Sequence, residues 1–126
     1  MKGFRQGMGK RDVGFAPGFW LRVFVLSALS KKDLHGYELL NMLDEYFPEF
    51  CFCRGPSGMG TGYRILRILE MEGLIKSRWE TGEGPAKRVY SITPEGLMVK
   101  KELINYIKEM RDKINKFLEF DEGKEV

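Results

Sequence analysis

Apolar positions change their spacing several times along the chain, and each change marks an element. Phe19, Trp20, Leu21, Val23, Phe24, Val25, Leu26 and Leu29 go almost all the way round a helix opened by Pro17-Gly18. Such a helix must be covered on more than one side. Ser30 to Asp33 is a polar break, and Asp33 is the expected N-cap of a second helix over about Leu34 to Phe47. There Leu39, Leu40, Leu43, Tyr46 and Phe47 recur at three-and-four spacing opposite Glu38, Asn41, Asp44 and Glu45, and Pro48 ends the run. Residues 49–60 mix aromatics, cysteines, glycines and Pro56, which predicts an irregular link. A third helix is expected from Thr61 to Glu72, with Ile65, Leu66, Ile68 and Leu69 inward, Arg64, Arg67 and Met71 outward, and Gly73 as its left-handed terminator.

The period then shortens to two. Ile75, Ser77 and Trp79 alternate with Lys76, Arg78 and Glu80, and Arg88 to Ile92 is rich in β-formers. The glycine-rich stretch Thr81 to Lys87 between them predicts a hairpin. Thr93-Pro94-Glu95 is a strong helix start, with a capping hydroxyl, proline at the first helical position and an acid in the first turn. The helix should run to about Phe120, roughly 40 Å at 1.5 Å per residue. Its stripe of Leu97, Leu103, Ile107, Met110, Ile114 and Phe117 lies between mixed charges. A module this small cannot cover a stripe that long, so a second copy of the chain is the expected cover.

These elements divide the chain into a flexible basic arm (1–16), a winged helix-turn-helix module (17–92), a dimerisation helix (93–120) and a short tail (121–126). The expected fold class is mainly α with a small β-hairpin. Three helices followed by a hairpin is the order in which a third helix enters the major groove of DNA and the hairpin reaches the adjacent backbone. Charge agrees with this. Residues 1–92 carry 14 Lys and Arg against 10 Asp and Glu, whereas residues 93–126 carry 7 against 8, so the polyanion-binding part is the first.

Other chemistry is sparse. No nucleophile elbow, paired carboxylates in a cleft or phosphate-binding loop stands out; Gly58 to Gly62 lacks the Lys-Ser/Thr that such a loop requires. No catalytic residue, cofactor or metal site is expected, and the chain does not read as an enzyme. Cys51 and Cys53 with one distant His35 fall short of a zinc set; packing, with redox sensing as an alternative, is their reading. No apolar run is long enough for a membrane span and no signal peptide is evident. With two cysteines, that points to the cytoplasm.

The chain resembles the PadR family of transcriptional regulators from about Leu26 to the end of the long helix. The motifs are His35-Gly36-Tyr37-Glu38-Leu39, Gly60-Thr61-Gly62-Tyr63, Leu66-x-x-Leu69-Glu70-x-x-Gly73-Leu74-Ile75, and Arg88-x-Tyr90-x-Ile92-Thr93-x-x-Gly96. Each is weak alone; four in order and at the right spacing are specific. Gly62 stands where the family usually has Leu, which should loosen the first turn of the third helix. The resemblance implies a homodimeric repressor that binds a two-fold-symmetric operator on double-stranded DNA and is released by a small ligand. By position it assigns Thr61, Gly62, Tyr63, Arg64 and Arg67 to the recognition helix and Lys87 and Arg88 to the wing. Phe19, Trp20 and Phe24 are the candidates to hold a flat aromatic or apolar effector, with plain core packing as the other reading. The alternatives are a winged-helix adaptor for protein partners and a thiol-sensing regulator using Cys51 and Cys53.

Overall fold

A computed structural model describes residues 17–48 and 55–123. The arm expected over 1–16, Cys51 and Cys53, and the end of the tail lie outside the described residues. In chain order the elements are α1 (Pro17–Leu29), β1 (Leu34–His35), α2 (Gly36–Tyr46), α3 (Gly55–Met71), β2 (Ile75–Glu80), β3 (Lys87–Ile92) and α4 (Pro94–Asp121). The strands form one antiparallel sheet in the order β1-β3-β2, with Ile75 opposite Ile92, Trp79 opposite Arg88 and Leu34 opposite Tyr90. The fold is helix-dominated with a hairpin wing.

The core lies where α1, α2 and α3 meet the base of the hairpin. Leu21, Leu26, Leu39, Leu40, Leu43, Leu66, Leu69 and Ile75 are fully buried there. Each side chain of this kind contributes about 1.5–3 kcal/mol on burial. An exposed ion pair contributes about 0–1 kcal/mol, so apolar packing holds the module together. α1, apolar on nearly every side, is covered by α2, α3, β3 and α4.

Two boundaries differ from the sequence expectation. Leu34 and His35 do not begin a helix: β3 takes them into the sheet, Leu34 pairing with Tyr90 and His35 with Val89. The N-cap of α2 is therefore His35 and not Asp33. Asp33 accepts a hydrogen bond from Arg78 Nη1 at 3.1 Å instead. α3 starts at Gly55, six residues before Thr61, so residues 55–60 are helical and not irregular. Pro56 fits this start, because an N–H in the first turn has no intrahelical partner to lose.

The far end of α3 closes as expected. Gly73 has φ 79°, its N–H reaches Glu70 O at 3.0 Å, and Leu74 N–H reaches Leu69 O at 3.0 Å. This paired closure turns the chain directly into β2. Thr93 caps α4: its Oγ1 accepts the Gly96 N–H at 3.0 Å and lies 2.7 Å from Gly73 O and 3.0 Å from Leu74 O. One hydroxyl thus ties the start of α4 to the end of α3. Val99 and Leu103 pack on the core, and from Arg111 to Gly123 every described residue is exposed.

Candidate nucleic-acid interface

α3 separates its residues cleanly. Leu66 and Leu69 are buried, while Tyr63, Arg64, Arg67 and Met71 are exposed on one side. Arg64 lies about two and a half turns into the helix and not in its first turn, because α3 begins at Gly55; Thr61 and Tyr63 are displaced from the helix start likewise. Gly62 is buried, and a Cβ there would meet Leu40 Cδ2 at 2.5 Å. Its lack of a side chain lets α3 approach α2; it does not loosen a first turn.

The wing stands beside this face. Lys87 and Arg88 are exposed at its far end, as is Trp79 opposite Arg88. Together with His35, Tyr37, Tyr63 and Tyr90 they line a groove of about 640 Å³ between the start of α2, α3 and the hairpin. Aromatic rings and cations sharing one concave surface can take phosphate, sugar and base edges together. Neither Arg64, Arg67 nor Lys87 has an ion pair with a described residue. Arg88 is engaged: its Nε donates to Ser77 Oγ at 3.0 Å, its Nη2 is 3.8 Å from Glu70 Oε1, and its guanidinium lies 5.4 Å from the Trp79 ring centroid.

His35 anchors the groove's other wall. Its backbone N–H donates to Glu38 Oε1 at 2.9 Å, and its Nδ1 is 3.0 Å from the same oxygen. These bonds, the backbone one foremost, hold the Glu38 carboxyl below the usual carboxylate range. Nε2 lies 3.4 Å from Glu80 Oε1 without the alignment of a hydrogen bond. Tyr90, buried at the groove floor, has its phenol pushed up by burial. Among the described residues no group of three or more His, Cys, Asp or Glu could hold a metal.

Residues 25–103, more than half of the chain, match the transcriptional regulator PadR-like family. The chain belongs to that family. A PadR family transcription regulator from hypervirulent Clostridium difficile is 26% identical, with a TM-score of 0.65 over 79% of this chain and 98% of that one. A PadR family regulator from Eggerthella lenta is 30% identical over 79% and 81%, TM-score 0.62. A conserved protein of unknown function, described as a potential transcriptional factor, is 30% identical over 94% and 96%, TM-score 0.70. No protein of curated function matches the chain. It is a PadR-like transcriptional regulator.

Two further groups of sequence-nominated residues are placed on this PadR-like frame. Phe19, Trp20 and Phe24, all half-buried, join an aromatic cluster. Phe19 meets Trp20 edge-on at 5.2 Å and Tyr106 of α4 at 5.8 Å, Trp20 lies 6.0 Å from Phe47, and Phe24 lies 5.2 Å from Tyr46. Along α4 the proposed dimer stripe divides. Leu103 packs on the chain's own core, Ile107 and Met110 are half-buried, and Leu97, Ile114 and Phe117 are 45%, 44% and 60% exposed. Tyr37, Glu70, Ser77 and Trp79 also belong to the site, although no motif of their own marks them. The strand alternation already put Ser77 and Trp79 on one side; the register that brings Arg88 to Trp79 was not readable locally.

Proposed function

We propose that the chain is a dimeric, sequence-specific DNA-binding repressor, with α3 as recognition helix and the hairpin as wing. The observation that carries this is the exposed row Tyr63, Arg64 and Arg67 beside a wing ending in Lys87, with no described carboxylate in an ion pair with Arg64, Arg67 or Lys87. Regulators of this family bind DNA, and the surplus of basic residues before residue 93 fits a polyanion. Thr61, Tyr63, Arg64 and Arg67 form the helix side of the contact, and Lys87 and Arg88 the wing side. Gly62 serves by setting the α2–α3 distance. Leu97, Leu103, Ile107, Met110, Ile114 and Phe117 belong to the dimer contact, supported by the exposed outer half of α4. Release by a flat aromatic or apolar ligand is supported by the half-buried rings of Phe19, Trp20 and Phe24 facing α2 and α4.

The test separates reading from positioning. Arg64→Ala should weaken binding to the preferred duplex by about 1–3 kcal/mol and relax the preference at one base pair in each half-site. Lys87→Ala should weaken binding to all sequences alike and lower the salt slope by about one unit. Unchanged sequence preference in Arg64→Ala would remove the recognition role given to it.

A further inference from the structure

Glu70 is an odd residue to find on a DNA-facing helix. It follows Arg67 by one turn, and a carboxylate there repels phosphate. Its neighbours give it another task. Ser77 Oγ donates to Glu70 Oε2 at 2.8 Å, and Arg88 Nε donates to the same hydroxyl at 3.0 Å. Arg88 Nη2 stands 3.8 Å from Glu70 Oε1, and its guanidinium lies over Trp79, the residue directly opposite it in the ladder. One residue of α3, two of β2 and one of β3 are thereby linked in a single polar and cation–π network.

The position of this link matters more than its strength. Arg88 and Glu70 are 47% and 31% exposed, so the pair adds little to stability. Near the core the hairpin is fixed by Ile75 and Tyr90, which are buried. Beyond Trp79 and Arg88 only the Glu80–Lys87 pair and the exposed loop 81–86 remain. A two-stranded ribbon twists readily, and the link sits where such twisting would displace Lys87 relative to Arg64 and Arg67.

We propose that Glu70, acting through Ser77 and Arg88, is the positioning residue of the DNA-binding face and sets the spacing between recognition helix and wing. The proposal rests on the DNA-binding reading above. It gives Arg88 a bracing role beside its place on the wing side of the contact, while Lys87, Arg64 and Arg67 have no ion pair among the described residues.

Glu70→Gln in the full chain gives a test in which charge and positioning predict opposite signs. Removing a negative charge from a DNA-binding face should tighten binding to any duplex. Loss of the brace should instead weaken binding to the duplex selected by the parent by about fivefold, the order of one exposed charged pair. The salt slope should stay unchanged, since no phosphate contact is lost. Arg88→Lys keeps the charge but loses the planar fork; it should weaken binding to the same degree, and the double variant should be no worse than either alone. Circular dichroism melts of both variants, with Ser77→Ala as a milder third, confirm that folded protein is compared. Parental or tighter binding by Glu70→Gln, or parental binding by Arg88→Lys, overturns this proposal alone. A parent that selects no duplex overturns the DNA-binding reading and this proposal together.

Discussion

Gly62 and Leu40 hold α3 against α2 so closely that a Cβ on the glycine would stand 2.5 Å from Leu40 Cδ2 and 3.1 Å from Cδ1. Leu40 is fully buried among other leucines, so its methyls cannot swing aside freely. Two effects compete in Gly62→Ala. A helix gains about 1 kcal/mol when alanine replaces an interior glycine, and overpacking a core costs about 1–3 kcal/mol. The crowding should win by about 1 kcal/mol, lowering the thermal midpoint by about 4 °C. Leu40→Val in the same chain should recover part of that loss. A raised midpoint in Gly62→Ala would show that α2 and α3 are not in such tight contact.

The pair Arg22–Glu72 joins α1 to the end of α3, with Nη1–Oε1 and Nη2–Oε2 distances of 2.7 and 3.3 Å. The hydrogen bond from Arg22 lowers the Glu72 carboxyl below its ordinary value of 4.5. A carboxylate lowered in the folded state stabilises the fold above the ordinary value, and that stabilisation is lost as pH falls through the folded value. Both side chains are well exposed, so screening limits the effect to at most about 1 kcal/mol. Denaturant titrations should show Glu72→Gln less stable than the parent at pH 7, and the two indistinguishable near pH 3. A gap that persists at pH 3 would assign the difference to something other than this ion pair.

The outer half of α4 leaves Ile114, Phe117, Leu118 and Phe120 at 44–66% exposure. A partner chain is the cover expected for so much apolar surface on one helix. Sedimentation at micromolar concentration should give about twice the chain mass, and Ile114→Glu with Phe117→Glu should give the chain mass. A monomeric parent would contradict this.

Trp20 has Phe19 and Phe47 against it, whereas Trp79 stands on the wing. Planar aromatic compounds should quench the fluorescence of Trp20, so Trp20→Phe should lose the response and Trp79→Phe should keep it. The reverse pattern would move the ligand site to the wing.

Much of this architecture is legible in the sequence. Periodicity located the helices, the alternation from Ile75 to Glu80 located the wing, and Thr93-Pro94-Glu95 located α4 within a residue at each end. The failures have two causes, a long-range partner overriding a local signal and a local signal too weak to declare a helix. Leu34 and His35 look helical until β3 pairs with them. Gly55 to Gly60 looks irregular because glycine and proline carry poor helix propensity. The outward face of α3 was readable from spacing alone. The tether on Arg88 was not, because Glu70, Ser77 and Trp79 meet it only through the strand register and the packing of α3 on the hairpin.

A surface of this kind on each of two paired chains should recognise DNA as a two-fold-symmetric pair of half-sites. Repeated selection from a pool of random duplexes by the full-length chain, followed by affinity measurement over a salt series, tests it directly. The expected result is one enriched motif with two-fold symmetry, half-sites about 10 bp apart or a multiple of that, and an affinity that falls steeply and linearly in log–log form with salt. No enrichment over many rounds, with weak binding that is indifferent to sequence, would contradict it.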